Sequence, residues 1–244
     1  MSDDQTTDDG SRGEQSDESA TTASDGSAGG ADAERGPQGR SLAAEPIEPS
    51  EPEEFGLVQA WWGGGKGKTT AAMGMGMRAA GHGYRVHMLQ FMKGGTNTVE
   101  DVRGEYNAIE HVPGFTYENA GHYGWHGFGA ASDDEDHEAE AEAGLERACE
   151  LIDGEGLDED DDTDHDRLHM LILDEVLYAA DRGLVDPDDV LGLIEDKPDD
   201  LELVLTGSHE EPTYLLDAAD LVTEVRKHKH PIDAGQPARK GTEF

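Results

Sequence analysis

The eight residues from Gly63 to Thr70, GGGKGKTT, constrain this chain more than any other stretch. They follow a short apolar run, Leu57 to Trp62, and lead into a helix-like segment from Lys68 to Ala80. Glycines let backbone N–H groups turn inward around a phosphate, and the helix N-terminus adds its positive end. In such a loop Lys68 reaches phosphate oxygens and the Thr69 hydroxyl is a ligand for Mg²⁺. The expected nucleotide-binding set is Gly63, Gly64, Gly65, Lys66, Gly67, Lys68, Thr69 and Thr70. A glycine-rich linker could share the composition, but it has no need of Gly-Lys-Thr entering a helix directly after a buried strand. The strict pattern asks for glycine at position 62, where Trp62 stands, so the loop is one residue short.

A strand, a phosphate loop and a helix require a second strand beside the first, and the sequence supplies several. Gly81, His82 and Gly83 close the helix, and Arg85 to Phe91 reads as the next buried strand. Ala108 to Val112 reads as a weaker strand ended by Pro113 and Gly114, with stronger ones at Leu168 to Leu173 and Leu201 to Thr206. Asp186 before Pro187 marks a helix start running to about Glu195. Pro212 to Ala219 reads as a short helix and Leu221 to Val225 as a last strand. This alternation predicts an α/β fold with a mostly parallel, doubly wound sheet.

Asp174 and Glu175 end the apolar run Leu168 to Leu173, at the strand edge where open parallel sheets bind ligands. Alone, an acid at that place is more often the N-cap of the next helix. Beside a phosphate loop it completes a Mg²⁺ site, so Thr69, Asp174 and Glu175 are the expected metal ligands. Six of the seven lysines, Lys66, Lys68, Lys93, Lys227, Lys229 and Lys240, fall near strand ends or in the C-terminal segment, as anion contacts would.

Charge then limits the partners. The formal net charge is -38 from 56 acids and 18 bases; residues 1–54 hold 15 and 3 of these, which leaves 41 and 15 on the remainder, a net of -26. A domain so acidic repels itself in dilute salt and is screened in concentrated salt, which points to a salt-loving source. Nucleic-acid binding is disfavoured because no basic stripe exists to displace counterions. Residues 1–54 have too few apolar groups to offset chain entropy and are expected to be a disordered acidic tail preceding a domain over 55–244. Within that domain Asp133 to Asp166 carries 18 acids and Arg147 as its one base, an acidic insertion of about 132–166 with an amphipathic helix near Glu138 to Ile152. No run suits a secretory signal or a membrane span, so a cytoplasmic protein is expected. The single cysteine, Cys149, excludes an internal disulfide.

The segments GGGKGKTTAA, RAAGHGYRV, QFMKG, PGFTYE, LILDEVLYA, LVLTG, DAADLVTEVR and KHKHPIDAGQPARKGTEF, in that order, resemble the P-loop ATP:corrinoid adenosyltransferase family. The family carries the same shortened loop, and its distinctive C-terminal segment matches at Asp233, Ala234, Gly235 and Gly241. The resemblance implies a RecA-like sheet and a homodimer. It implies Mg·ATP and a reduced corrinoid as reactants, with a separate electron donor that brings cobalt to Co(I). Lys68 and Glu175 are the catalytic residues it implies, Arg78 joins the nucleotide-binding set, and Phe115 and Tyr117 match aromatics that act on the lower face of the corrinoid. Tyr117 stands where tryptophan is more usual, and Ser208 where the family often has arginine. Gly121 to Ala131, with His122, Trp125 and His126, is extra sequence assigned no role.

Two other readings of the phosphate loop stay open on the residues alone. A P-loop ATPase or kinase would release ADP, and a nucleotide-gated binding module would do no chemistry. Neither gives a reason for the C-terminal segment.

Overall fold

A computed structural model describes residues 45–92, 104–120, 134–154 and 167–242. In chain order its elements are β1 (Val58–Trp62), α1 (Lys68–Gly81), β2 (Val86–Phe91), α2 (Gly104–Ile109), β3 (Phe115–Ala120) and α3 (Asp134–Ile152). There follow β4 (Met170–Asp174), α4 (Val176–Asp181), α5 (Pro187–Asp196), β5 (Glu202–Thr206) and β6 (Leu221–Glu224). The strands pair in the order β3-β2-β4-β5-β1-β6, every neighbouring pair parallel. This is the doubly wound α/β sheet that the alternation of elements predicts. No described helix is long and apolar enough to cross a membrane.

Strand alternation sorts the core into two faces. Val86, Met88, Phe115, Met170, Ile172 and Val204 lie under α1, against its Ala72, Met73, Ala79 and Ala80. Leu89, Phe91, Leu171, Leu173, Leu203 and Leu205 face the other way, toward Ala141, Ala148 and Leu151 of α3, Leu177 of α4, and Val190 and Leu193 of α5. The connection from β1 to β2 passes over β5 and β4, so α1 lies across those strands. That crossing carries the start of α1 from β1 to β4, a span of two interstrand spacings or about 10 Å. Gly76 permits the approach, since a Cβ on it would come within 2.7 Å of Phe115 Cζ.

Local rules set the element ends. Asp186 caps α5, its Oδ1 accepting from Asp188 N at 3.0 Å, with Pro187 in the first turn. Gly83, at φ 84°, follows α1 in the left-handed conformation, and its N–H donates to Ala80 O at 2.8 Å.

Two expected elements are corrected. Ala108 to Val112 is not a strand: Ala108 and Ile109 close α2, whose Tyr106 and Ile109 are buried at helical spacing, and the strand is Phe115–Ala120. Pro212 to Ala219 is one 3-10 turn, Thr213–Leu215. Leu215 is the one buried side chain of the turn Thr213–Leu215, and Asp220 already pairs with Val58 through both N–H and carboxylate, which draws the chain straight into β6.

Residues 1–44, most of the tail read from composition, lie outside the described residues. The described unit begins at Glu45. Ser50 N–H donates to Gly83 O at 3.0 Å, and Glu51 reaches His169 Nε2 at 2.6 Å and Arg85 at 3.4 Å, so these two residues of the expected tail are fastened to the domain. The acidic stretch contains α3, which buries Ala141, Gly144, Ala148, Leu151 and Ile152 against the sheet and so forms the crossover from β3 to β4. Asp158 to Asp166, and the extra segment with His122, Trp125 and His126, lie outside the described residues.

Candidate active site

The phosphate loop is braced by the strands on either side of β1. Gly63 N–H donates to Ser208 O at 3.1 Å beyond β5, and Gly65 N–H donates to Val225 O at 2.7 Å beyond β6. A Cβ on Gly63 would lie 2.5 Å from Val225 O and one on Gly65 2.6 Å from it, so backbone contact forbids side chains there. Gly67 precedes α1 at φ 113°, a conformation that L side chains rarely adopt. Lys68 is buried, its Nζ donating to Gly63 O at 2.7 Å and to Gly65 O at 3.4 Å, which holds the ammonium inside the curve of the loop. Lys66 and Thr70 are exposed.

Across from the loop stands Asp174, fully buried at the end of β4. Its Oδ1 accepts from Thr206 Oγ1 at 2.6 Å; its Oδ2 accepts from Gln90 Nε2 at 3.0 Å and from Thr69 Oγ1 at 3.2 Å. Thus Thr69, the residue after the loop lysine, touches the carboxylate that β4 delivers. Glu175 follows at φ 65°, its N–H donating to Thr206 Oγ1 at 3.1 Å while its side chain stays half-buried. Among the described residues, the non-glycine positions with positive φ are Met92, Glu175 and Ser208, each just past the carboxyl end of β2, β4 or β5. Such conformations cost on the order of 1 kcal/mol each and cluster where a fold shapes a site.

The donor set suits a hard cation. Thr69 Oγ1 and the carboxylates of Asp174 and Glu175 offer oxygen alone, the preference of Mg²⁺, which keeps most of its shell for water and phosphate. Among the described residues no group of three or more His, Cys, Asp and Glu side chains converges as a metal cage. One or two protein oxygens plus substrate phosphates is the arrangement Mg²⁺ ordinarily takes.

Further along the same edge, Tyr106 of α2 donates to Gln90 Oε1 at 2.5 Å, and Asn119 Oδ1 lies 3.4 Å from the same hydroxyl. Its ring stacks on Tyr117, centroids 4.5 Å apart and planes 6° apart. Gln90 pairs in register with Asn119 on one side and with Asp174 on the other. Asn119, Gln90, Asp174 and Thr206 therefore form a polar row across the top of the sheet, on the α1 face.

Most of the residues singled out in the sequence come together, and two do not. Gly63 to Thr69, Asp174 and Glu175 share the carboxyl edge, with Tyr117 farther along β3. Arg78 is exposed in the last turn of α1, ten residues or about 15 Å of helix beyond Lys68, so within this chain it is not a loop contact. Phe115 is 4% exposed at the opposite, amino end of β3, under Gly76 and beside Ile172; it is a core residue in this arrangement. Ser208 offers no cation at the position where the sequence resemblance implies arginine; its carbonyl braces Gly63 and its hydroxyl donates to Glu210 O at 2.5 Å. Sequence reasoning missed Gln90, Thr206 and Tyr106. For the first two a signal existed: each is a polar residue near the carboxyl end of a largely apolar strand.

Comparison with known proteins agrees with this construction. Residues 54–244 match the family model described as ATP:corrinoid adenosyltransferase BtuR/CobO/CobP. The corrinoid adenosyltransferase of Pseudomonas aeruginosa is 34% identical over 197 residues, covering 79% of this chain and 85% of that one. The corrinoid adenosyltransferase CobA of Salmonella typhimurium is 31% identical over 197 residues, 79% and 87% of the two chains. A corrinoid adenosyltransferase of Sinorhizobium sp. is 34% identical over 202 residues, 79% and 82%. With a short phosphate loop, a buried carboxylate facing it and a family match from before β1 to the last residue, the chain belongs to the ATP:corrinoid adenosyltransferase family.

Proposed function

We propose that the chain binds Mg·ATP along the carboxyl edge of the sheet, with the triphosphate in the Gly63–Thr70 loop and the ribose directed toward a reduced corrinoid beside Tyr117. The reaction is transfer of the 5′-deoxyadenosyl group to cobalt, in adenosylcobalamin biosynthesis or corrinoid salvage. A Co(I) electron pair forms the bond to C5′ as the C5′–oxygen bond breaks, and the oxygen departs with triphosphate. No proton moves, so the site needs no general base.

Charge develops on the departing oxygen, and the chain's contribution is electrostatic. N–H groups of the loop other than those of Gly63 and Gly65, which the neighbouring strands engage, would with the Lys68 ammonium stabilise that charge in place, with no reorganisation cost when the bond breaks. Thr69, Asp174 and Glu175 would hold Mg²⁺, which supplies further positive charge on the phosphate oxygens. Tyr117 offers an apolar plate with a polar tip to the corrinoid. The observation that carries this reading is the 3.2 Å contact from Thr69 to the buried Asp174, which joins loop and carboxylate into one site. On the family resemblance, we place the enzyme in the cytoplasm, as a homodimer, with a separate electron donor reducing Co(II) to Co(I).

The test is incubation with ATP, Mg²⁺ and chemically reduced corrinoid in concentrated salt, following the cobalt–carbon spectrum and the released nucleotide products. The parent should release intact triphosphate. Lys68→Ala should remain folded and lose on the order of a hundredfold in rate, the usual effect of removing one preorganised donor. ADP as the product, or an undiminished Lys68→Ala rate, would refute the mechanism.

A further inference from the structure

Tyr106 and Gln90 belong to no part of the chemistry described above, yet they join its two halves. Gln90 is fully buried, and its amide can point only one way. A carboxylate only accepts, so the NH₂ group must face Asp174, and Oε1 must then face Tyr106. The tyrosine hydroxyl is in turn obliged to donate. The result is a directional chain, Tyr106 O–H to Gln90 Oε1 at 2.5 Å and Gln90 N–H to Asp174 Oδ2 at 3.0 Å. At its far end the Tyr106 ring lies flat on Tyr117 at 4.5 Å.

We propose that Gln90 and Tyr106 are positioning residues, which hold the Asp174 carboxylate on the nucleotide side and the Tyr117 plane on the corrinoid side through this one chain of hydrogen bonds and ring stacking. The proposal rests on the assignment of Asp174 and Tyr117 to those two sides. Rotation of the Asp174 carboxylate would break its bond to Gln90, and a shift of Tyr117 would tilt Tyr106 away from Gln90. Each partner is thereby fixed by a residue outside the set assigned to ATP or cobalt. Buried, fully satisfied polar networks of this kind specify one arrangement of their members.

Two variants test it. Tyr106→Phe keeps the ring and its stack and removes only the hydroxyl. It should raise the half-saturating concentrations of both Mg·ATP and corrinoid, each by about fivefold, the usual net worth of one hydrogen bond. A residue that mattered only for folding would lower the amount of active enzyme and move neither. Gln90→Met keeps the length of the side chain and removes both of its hydrogen bonds, so it should raise the same two half-saturating concentrations by at least as much. Unchanged half-saturation for either substrate in Tyr106→Phe or in Gln90→Met overturns the proposal. Asp174→Asn and Tyr117→Leu serve as reference variants. If they alter neither Mg·ATP nor corrinoid saturation, the assignment of the two sides has failed; if they do and Tyr106→Phe does not, the positioning role alone has failed.

Discussion

Acid should destabilise this protein through one imidazole in particular. His87 of β2 is 2% exposed, on the sheet face covered by α3. Its Nδ1 lies 2.8 Å from Thr116 Oγ1, and its Nε2, without a hydrogen-bond partner among the described residues, lies 3.8 Å from Glu118 Oε1. That glutamate is already held at 2.8 and 2.9 Å by Arg147 of α3. Burial is the largest influence and disfavours the imidazolium; Glu118 partly opposes it, and Arg147 adds to it. The pKa falls from 6.5 to about 4. The unfolded chain takes up a proton near its ordinary pKa while the folded one resists until about pH 4, so stability is intact above pH 6.5 and lost between those values. Linkage gives a loss of about 2 kcal/mol by pH 5 and about 3 kcal/mol by pH 4. Urea unfolding in concentrated salt, at several pH values from about 7.5 down to about 4.5, measures this. Carboxylates elsewhere contribute to both proteins, so the quantity of interest is the difference between the parent and His87→Gln. The variant should lose about 2 kcal/mol less than the parent between neutral pH and pH 5. Parallel curves would show that His87 is not held neutral by the fold, and the reasoning would fail.

Two glycines of α1 should respond in opposite directions to the same substitution. Gly74→Ala meets no atom within 4 Å and should stabilise by up to about 1 kcal/mol, whereas Gly76→Ala drives a methyl into the Phe115 ring and should destabilise by about 1–3 kcal/mol; thermal melts of the pair decide it. Melting temperature should also rise from dilute to molar KCl, because the net charge of -26 on residues 55–244 repels itself until screened, and a flat or falling trend would contradict the electrostatic reading.

The legible parts of this protein are those in which function is written into neighbouring residues. A phosphate loop is a local device, and GGGKGKTT between an apolar run and a helix could be read directly as what the structure contains, Gly63 to Gly67 turning into α1. LILDE was equally legible, because a buried strand that ends in acid places that acid at a sheet edge. Where two local patterns competed, reading failed: Ala108 to Val112 looked extended, but Tyr106 and Ile109 satisfy a helix that the sheet covers. Phe115 and Tyr117 sit two residues apart on one face of β3, yet one lies in the core under Gly76 and the other nearer the carboxyl edge. Distance along the strand decided that, and only the placement of α1 gave it meaning. The polar row depends on tertiary structure throughout. Thr69, Gln90, Asp174 and Thr206 come from four elements, and their contact requires β5 to lie between β1 and β4 with α1 crossing over β5 and β4. Strand order is set by which faces bury best against which helices, a property of the whole chain, so sequence alone determined the pieces of the site and tertiary packing decided which of them meet.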